Sequence, residues 1–354
     1  MTIRDDVKYS GERVLNAAHS YFYDLRHKKE AMAAVDAIQK HNSQILTDEL
    51  KKTADEYAAE IFGSKSYAPW LYVYSLIRGE FKEGWIPDNF FGKIVSPKVN
   101  KKIRVAAEFK TFSNILFRTN MLPDIGYYID GIFYDKELAR ITIQDLCERI
   151  SPTDGEVFVK RDGEGRGVGV MKLADHEVTE DRFRSFGNCV IQSPIRQHEF
   201  FDDIMTGSVA TLRITTVKEK NGSVSLRASY LRFGRKDTSW IQSDNSVKVA
   251  ITSDDGHLDS FGYTEDWRRW QSHPDSGFIF ENARIPKFKE AVEAGLELHR
   301  KVPHFSVIGW DMSIDRDETV KVLEWNCGHC DIKFSEATTG PCFRGLDWEK
   351  CREA

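Results

Sequence analysis

Apolar residues in the first sixty positions recur at helical spacing, and beyond residue 120 they alternate with polar ones at the two-residue period of strands. Met32, Ala33, Val35, Ile38, Ile45, Leu50, Tyr57 and Ile61 mark the helical pattern, with no proline from Lys28 to Phe62. This predicts helix over residues 1–63, capped at Gly63. A second helix is expected from Pro69 to Arg78, then a loop over the aromatic-rich residues 84–97, then a helix over 101–120 broken by Met121-Leu122-Pro123. Strands are expected at 125–128, 156–160, 169–172, 189–192, 210–218, 223–233 and 247–252. A late helix, 286–301, and two final strands, 307–314 and 319–325, complete the pattern. Helices come first and a mixed, strand-rich region follows, so the expected class is α+β.

Charge changes the picture by exclusion. The 354 residues carry 50 Lys and Arg against 55 Asp and Glu, a net charge of −5. No basic excess is present to hold a phosphate backbone, so nucleic acid is not an expected partner. No apolar run approaches the ~20 residues of a membrane span. The start, with Asp5 and Asp6, lacks an apolar signal core, and six cysteines are sparse for the length. A cytoplasmic protein with reduced thiols is expected.

Two segments carry candidate chemistry. The first is Val157-Phe158-Val159-Lys160 followed by a loop containing Gly163, Gly165, Gly167 and Gly169. Glycines let backbone N–H groups approach an anion, and Lys160 adds a point charge for phosphate oxygens. A tight hairpin with a surface lysine would have the same pattern. A Walker loop would end in Gly-Lys-Ser/Thr, and a protein kinase places its lysine after the loop; neither fits. The second segment is a hairpin from Ile308 to Asn326, turning at Asp315–Glu318. Glu324 and Asn326 are two apart and share a strand face, with Asp311 able to lie opposite. Oxygen ligands gathered this way suit Mg²⁺; an exposed acidic face is the plainer alternative.

In order along the chain, WIPDNFFGKIVSP, EFKTFSNILFRTNMLP, VFVKRDGEGRGVGV, VIQSPIRQHEF, SVATLRITTV, HPDSG and IGWDMSI…VKVLEWN resemble the sugar-transfer associated ATP-grasp family over residues 85–345. The resemblance implies the ATP-grasp fold, two α+β lobes clasping ATP. A helical region (1–95) would precede a lid lobe with the glycine-rich hairpin (96–190) and a C-terminal lobe with the magnesium site (191–354). It implies Lys110 and Lys160 as nucleotide lysines and Gln192, Ser193 and Ile195 in the adenine hinge. His198 and Glu199 would face the ribose, and Arg213 the γ-phosphate. Asp311, Glu324 and Asn326 would be ligands for Mg²⁺, two ions being expected with ATP. Two departures stand out: Phe109 replaces the usual Asp before the first lysine, and Lys248-Val249 stands where relatives carry glycines, in a segment expected to face the acceptor.

The implied reaction is ATP-dependent carboxylate–amine ligation through an acyl phosphate. Its expected small-molecule substrates are a sugar acid, amino acid or peptide, in polysaccharide-related biosynthesis. The alternative enzyme is an ATP-grasp kinase that stops at phosphorylation, and a third reading is a nucleotide-binding regulator. Residues 1–84 could brace the lobes, shape the acceptor pocket or serve a homodimer. Cys327-Gly328-His329-Cys330, with Cys342, leaves zinc binding, redox chemistry, pocket lining and packing open.

Overall fold

The computed structural model describes residues 3–150, 155–165, 168–236, 238–241 and 245–352. Gly167, one of the candidate loop glycines, lies outside the described residues. The chain divides into two compact units. One comprises the chain up to Lys98, Asp266–Arg269 and Asp331 onward; the other runs from Val99 to Glu265 and from Trp270 to Cys330. Both expected lobes, up to Cys330, therefore lie mainly within the second unit.

The first unit is built on helices Ile3–Asn42, Asp48–Phe62 and Ala68–Arg78. The chain breaks at residues 43–47, where Ser43 takes a positive φ, and Thr47 caps the next helix by accepting from the Leu50 amide. Gly63 ends that helix in the left-handed conformation expected of it, with φ 77°. Helix Lys333–Thr338 belongs to the same unit, and the Arg78 guanidinium donates to the Thr338 carbonyl at 2.7 Å. Two predictions fail at the unit's end and beyond. Residues 84–97 were expected as loop, but from Asp88 to Val99 the chain forms consecutive helical turns around the buried Phe90, Phe91 and Val95. Residues 101–120, expected as one helix, form 3-10 turns at Lys102–Glu108 and Lys110–Phe112 and a short α-helix at Ser113–Phe117. Phe109 interrupts them with φ −93° and ψ 90°.

The second unit holds two antiparallel sheets. The first comprises β1 (Asp124–Ile129), β2 (Ile132–Tyr134), β3 (Arg140–Ile141), β4 (Glu156–Arg161), β5 (Val170–Ala174) and β6 (Cys189–Gln192), in the order β3-β2-β1-β6-β4-β5. Tyr128, Phe133, Val157, Val159 and Ile191 bury its core with Leu146 and Phe183 from two short helices. The remaining strands are β7 (Thr211–Lys218), β8 (Val224–Gly234), β9 (Ser246–Ile251), β10 (Leu258–Thr264), β11 (Arg269–Trp270), β12 (Val307–Ile314) and β13 (Val320–Asn326). Six of them run β10-β9-β8-β7-β12-β13.

Alternation divides the second sheet. Leu212, Ile214, Leu231, Phe233, Val247, Val249, Ile308, Trp310 and Met312 enter one core with Ala291 and Leu298 of helix Phe288–Lys301. Gly295 lets that helix sit close, because a Cβ there would lie 3.3 Å from Trp310 and 3.4 Å from Ile214. The opposite face is left to polar side chains, and there the site is built.

Candidate active site

Cross-strand register brings the polar residues of five strands onto one face. Arg213 pairs with Tyr230 and Asp311, and Asp311 pairs with Glu324. Two residues away in register, Thr211 pairs with Arg232, and Arg232 with Lys248. Asp311 and Arg213 form a buried bidentate pair, Nε to Oδ1 at 2.7 Å and Nη2 to Oδ2 at 3.0 Å. Asn326 Nδ2 donates to Asp311 Oδ2 at 3.3 Å, and Arg232 Nη2 lies 3.7 Å from the same oxygen. Arg213 also donates to the Cys330 carbonyl at 2.8 Å and sits over the Tyr230 ring.

A β-bulge sets the acidic end. Met312 pairs with Val322 and Asp311 with Glu324, so Leu323 is left over. The bulge sends Val322 into the core while Glu324 and Asn326 face Asp311. The Leu323 carbonyl accepts a 3.0 Å hydrogen bond from Lys160 Nζ, at the end of β4 in the first sheet. Lys110 Nζ approaches from the 3-10 segment to 3.6 Å from Glu324 Oε1, and it also donates to the Glu164 carbonyl. Lys160, Lys110, Gln192 and Glu324 line one pocket with Leu122, Val190 and Leu323. Burial holds the Lys160 ammonium below the usual lysine range, partly offset by Glu324 and Asp124.

The glycine-rich turn is tied to the 3-10 segment. Gly163, at φ 77°, donates its amide to the Glu108 carbonyl at 2.8 Å, and Asp162 accepts from Thr111 Oγ1 at 2.7 Å. The Gly163 amide is thus engaged by protein, while the Gly165 carbonyl accepts from Val168 at 3.2 Å. At the other rim, Gln192 is buried and its amide donates to Asp124 at 2.8 Å; the Ser193 amide donates to the Pro123 carbonyl at 2.9 Å. Ile195 is half-buried. His198 caps a short helix, its Nδ1 accepting from the Phe200 amide, and Glu199 is exposed in the first turn. Lys160, Lys110, Gln192 and Glu324 meet in the pocket, and Arg213, Asp311 and Asn326 adjoin it through their bonds. No hydrogen bond links His198 or Glu199 to that group.

The donor chemistry fits a hard divalent cation. Asp311, Glu324 and Asn326 offer oxygen atoms from one sheet face, as Mg²⁺ prefers when phosphate oxygens complete its shell. Arg213 takes both Asp311 oxygens, so Glu324 is the less committed carboxylate. The cysteines do not form a comparable set. Cys327 Sγ donates to the Arg104 carbonyl and Cys330 Sγ to the Asn326 carbonyl, and burial pushes the Cys327 thiol up to about 12. Among the described residues, no three His, Cys, Asp or Glu side chains are placed to hold a metal ion together.

The model of the sugar-transfer associated ATP-grasp family matches residues 168–345, half of the chain. The chain belongs to that family. Solved structures similar to this ATP-grasp chain include an L-amino acid ligase from Bacillus licheniformis, 14% identical with a TM-score of 0.43, covering 72% of this chain and 49% of that one. D-alanyl-alanine synthetase A from Vibrio cholerae is 13% identical with a TM-score of 0.42, covering 72% and 65%. The biotin carboxylase domain of Hydrogenobacter thermophilus 2-oxoglutarate carboxylase, in complex with MgADP, ADP and bicarbonate, is 12% identical with a TM-score of 0.42, covering 70% and 45%. The similarity thus spans roughly half to two thirds of those chains. No curated protein matches the sequence. No helix among the described residues is long and apolar enough to cross a membrane.

Asp124 and Arg232 were not singled out in the sequence, whereas Lys248 lies in the segment expected to face the acceptor. Asp124 is buried, accepts from Gln192 and from Tyr127, and its carboxyl is raised by burial. Arg232 stands between the buried Leu231 and Phe233, and Lys248 between Val247 and Val249. A lone charge between two apolar strand neighbours was the available signal. Lys248 is paired with Glu265 at 3.0 Å.

Proposed function

We propose that this ATP-grasp protein is an ATP-dependent carboxylate–amine ligase working through an acyl phosphate. The observation that carries the reading is the meeting of Lys160 and Lys110 with Glu324 at one pocket, next to the Asp311–Arg213 pair. Two lysines against a carboxylate and amide cluster suit a polyphosphate carrying a divalent cation.

A carboxylate is a poor electrophile, because the leaving group would be an oxide. In the proposed reaction a substrate carboxylate oxygen attacks the γ-phosphorus of ATP and the bond to the bridging oxygen breaks, releasing ADP. The amine then attacks the acyl carbon of the mixed anhydride, inorganic phosphate leaves with the C–O electron pair, and the amine gives up its proton. In this reading Lys160 and Lys110 bind phosphate oxygens, exchanging their present carbonyl and carboxylate partners for the ligand. Arg213, held flat by Asp311, stabilises charge on the transferring group. Bound Mg²⁺, held by Glu324, Asp311 and Asn326, would neutralise phosphate charge. Positioning and charge neutralisation carry this chemistry, with no covalent enzyme intermediate. The glycine-rich turn, anchored at Glu108, would cover the phosphates and keep water from the anhydride.

The test is phosphate release from Mg-ATP with candidate sugar acids, amino acids or peptides and amines, with products weighed by mass spectrometry. Release that needs both substrates and yields an amide supports the ligase. A stable phosphorylated product formed without amine makes the protein a kinase instead. Lys160→Ala and Glu324→Ala should each lower turnover by about two to three orders of magnitude, with circular dichroism unchanged. Near-normal rates in either variant refute the assignment.

A further inference from the structure

Exposed large apolar side chains are concentrated beside the glycine-rich turn. Ile103 (41% exposed), Val105 (43%), Phe109 (46%), Phe112 (51%) and Ile115 (41%) lie within one stretch of thirteen residues. Leu138 (40%) and Val168 (74%) join them through the backbone. Asn114 Nδ2 donates to the Lys136 carbonyl at 2.9 Å, which brings the Leu138 turn against the stretch. The Gly163 amide donates to Glu108, and Val168 closes that turn on Gly165. Phe112 shares a face with Ile115, three positions on.

This region is also basic. Residues 101–118 hold Lys101, Lys102, Arg104, Lys110 and Arg118 against the single carboxylate Glu108, in a chain of net charge −5. Lys101, Lys102 and Arg118 are exposed, as is Arg140 at the start of β3; in the adjoining turn the exposed Lys136 lies 3.7 Å from Glu137. Isolated exposed apolar residues are ordinary, but a set of five within thirteen residues, flanked by Lys101, Lys102 and Arg118, is not. Apolar side chains among lysines and arginines are the composition of a surface that lies on an anionic bilayer.

We propose that this face docks on an anionic lipid surface without spanning it, holding the glycine-rich turn and its pocket beside the headgroups. Aromatic and aliphatic tips enter the headgroup boundary, and Lys101, Lys102, Arg118 and Arg140 meet lipid phosphates. One feature favours lipid over an acidic protein: the apolar residues of the 103–115 stretch are dispersed among cations. The inference is independent of the reaction catalysed.

The experiment is sedimentation of the full chain with phosphatidylcholine vesicles, with and without phosphatidylglycerol, at low and high salt and without nucleotide. Wild type should bind the anionic vesicles at least about tenfold better than the neutral ones, with binding weakened by salt. Lys101→Glu/Lys102→Glu should weaken binding more than about twentyfold, at about fivefold for each lost cation. Phe112→Ser/Ile115→Ser should weaken it at low and high salt alike, with circular dichroism unchanged. Lys51→Glu/Lys52→Glu, on helix Asp48–Phe62, should bind as wild type does. No binding to either vesicle, equal binding to both, or binding indifferent to the patch variants would overturn the proposal. So would a lipid-free dimer that Phe112→Ser/Ile115→Ser converts to monomer, because the face would then be covered by a second copy.

Discussion

Glu336 shows what a single carboxylate does in the first unit. It is fully buried and accepts from the backbone amides of Ile86 and Cys342, both at 2.7 Å. Burial pushes its carboxyl up from 4.5 to about 8, although both amides favour the charged form. Between those values the folded chain keeps a proton that the unfolded chain has released. This contribution to stability is therefore complete below about pH 4.5 and is lost as pH rises toward about 8. Glu336→Gln should flatten that fall in a series of urea melts; an unchanged slope would show that the group is ionised when folded. His299 in the second unit has the opposite sign. Burial lowers it to about 4 while it bonds Thr216 and the Phe305 carbonyl, so its contribution is lost as pH falls from 6.5 toward 4. Neither residue was marked by the sequence. A buried Glu and an exposed one look alike until the packing is known, whereas Lys160 and Glu324 announced themselves through neighbouring glycines and alternating apolar residues.

At the scale of elements, most strands were legible from their apolar residues, although β6, β9 and β12 are buried along their whole length and are not half-buried. Residues 189–192 and 307–314 match the expected bounds, and Gly63 caps where its backbone freedom suggested. The short strands at 132–134, 140–141 and 269–270 were missed, being too brief to show a period, and so was the seven-residue strand at 258–264, whose burial does not alternate. Residues 101–120 misled for another reason: apolar residues at three-residue spacing satisfy a 3-10 turn as well as an α-helix, and only Phe109's backbone angles separate them. The bulge at Leu323 was equally hidden. Strict alternation from Val320 would put Val322 and Glu324 on one face, yet one is core and the other lines the pocket. Asn100 fixes the start of this hairpin. Its amide donates to the Val307 and Cys327 carbonyls at 2.7 and 2.8 Å, and its oxygen accepts from Ser306 and Val307 at 2.6 and 3.2 Å. Asn100→Ala leaves those buried backbone groups unpaired, and should cost about 2–4 kcal/mol in urea unfolding. A loss below ~0.5 kcal/mol, the scale of an ordinary surface substitution, would show that the anchor is dispensable.

For the whole molecule, the family and the α+β class were readable from the ordered motifs, while the limits of the compact units were not. Asp331 onward clusters with the N-terminal helices, a contact between distant parts of the chain that no local pattern records. In the proposed reading, nucleotide chemistry is assigned to the Lys160 and Glu324 end of the polar face, and Arg232 and Lys248 stand at its other end. The proposal that unites them is that Lys160 on one sheet, Lys110 from the 3-10 segment and the oxygens of the other sheet hold a single nucleoside triphosphate. Isothermal titration with a non-hydrolysable ATP analogue measures this most directly, with and without Mg²⁺, on wild type, Lys160→Met and Glu324→Gln. Binding to wild type should strengthen with Mg²⁺, Glu324→Gln should lose most of that gain, and Lys160→Met should bind at least about tenfold more weakly, as expected when a charge-assisted phosphate contact is removed. Equal affinity in all three proteins, indifferent to Mg²⁺, would contradict the account.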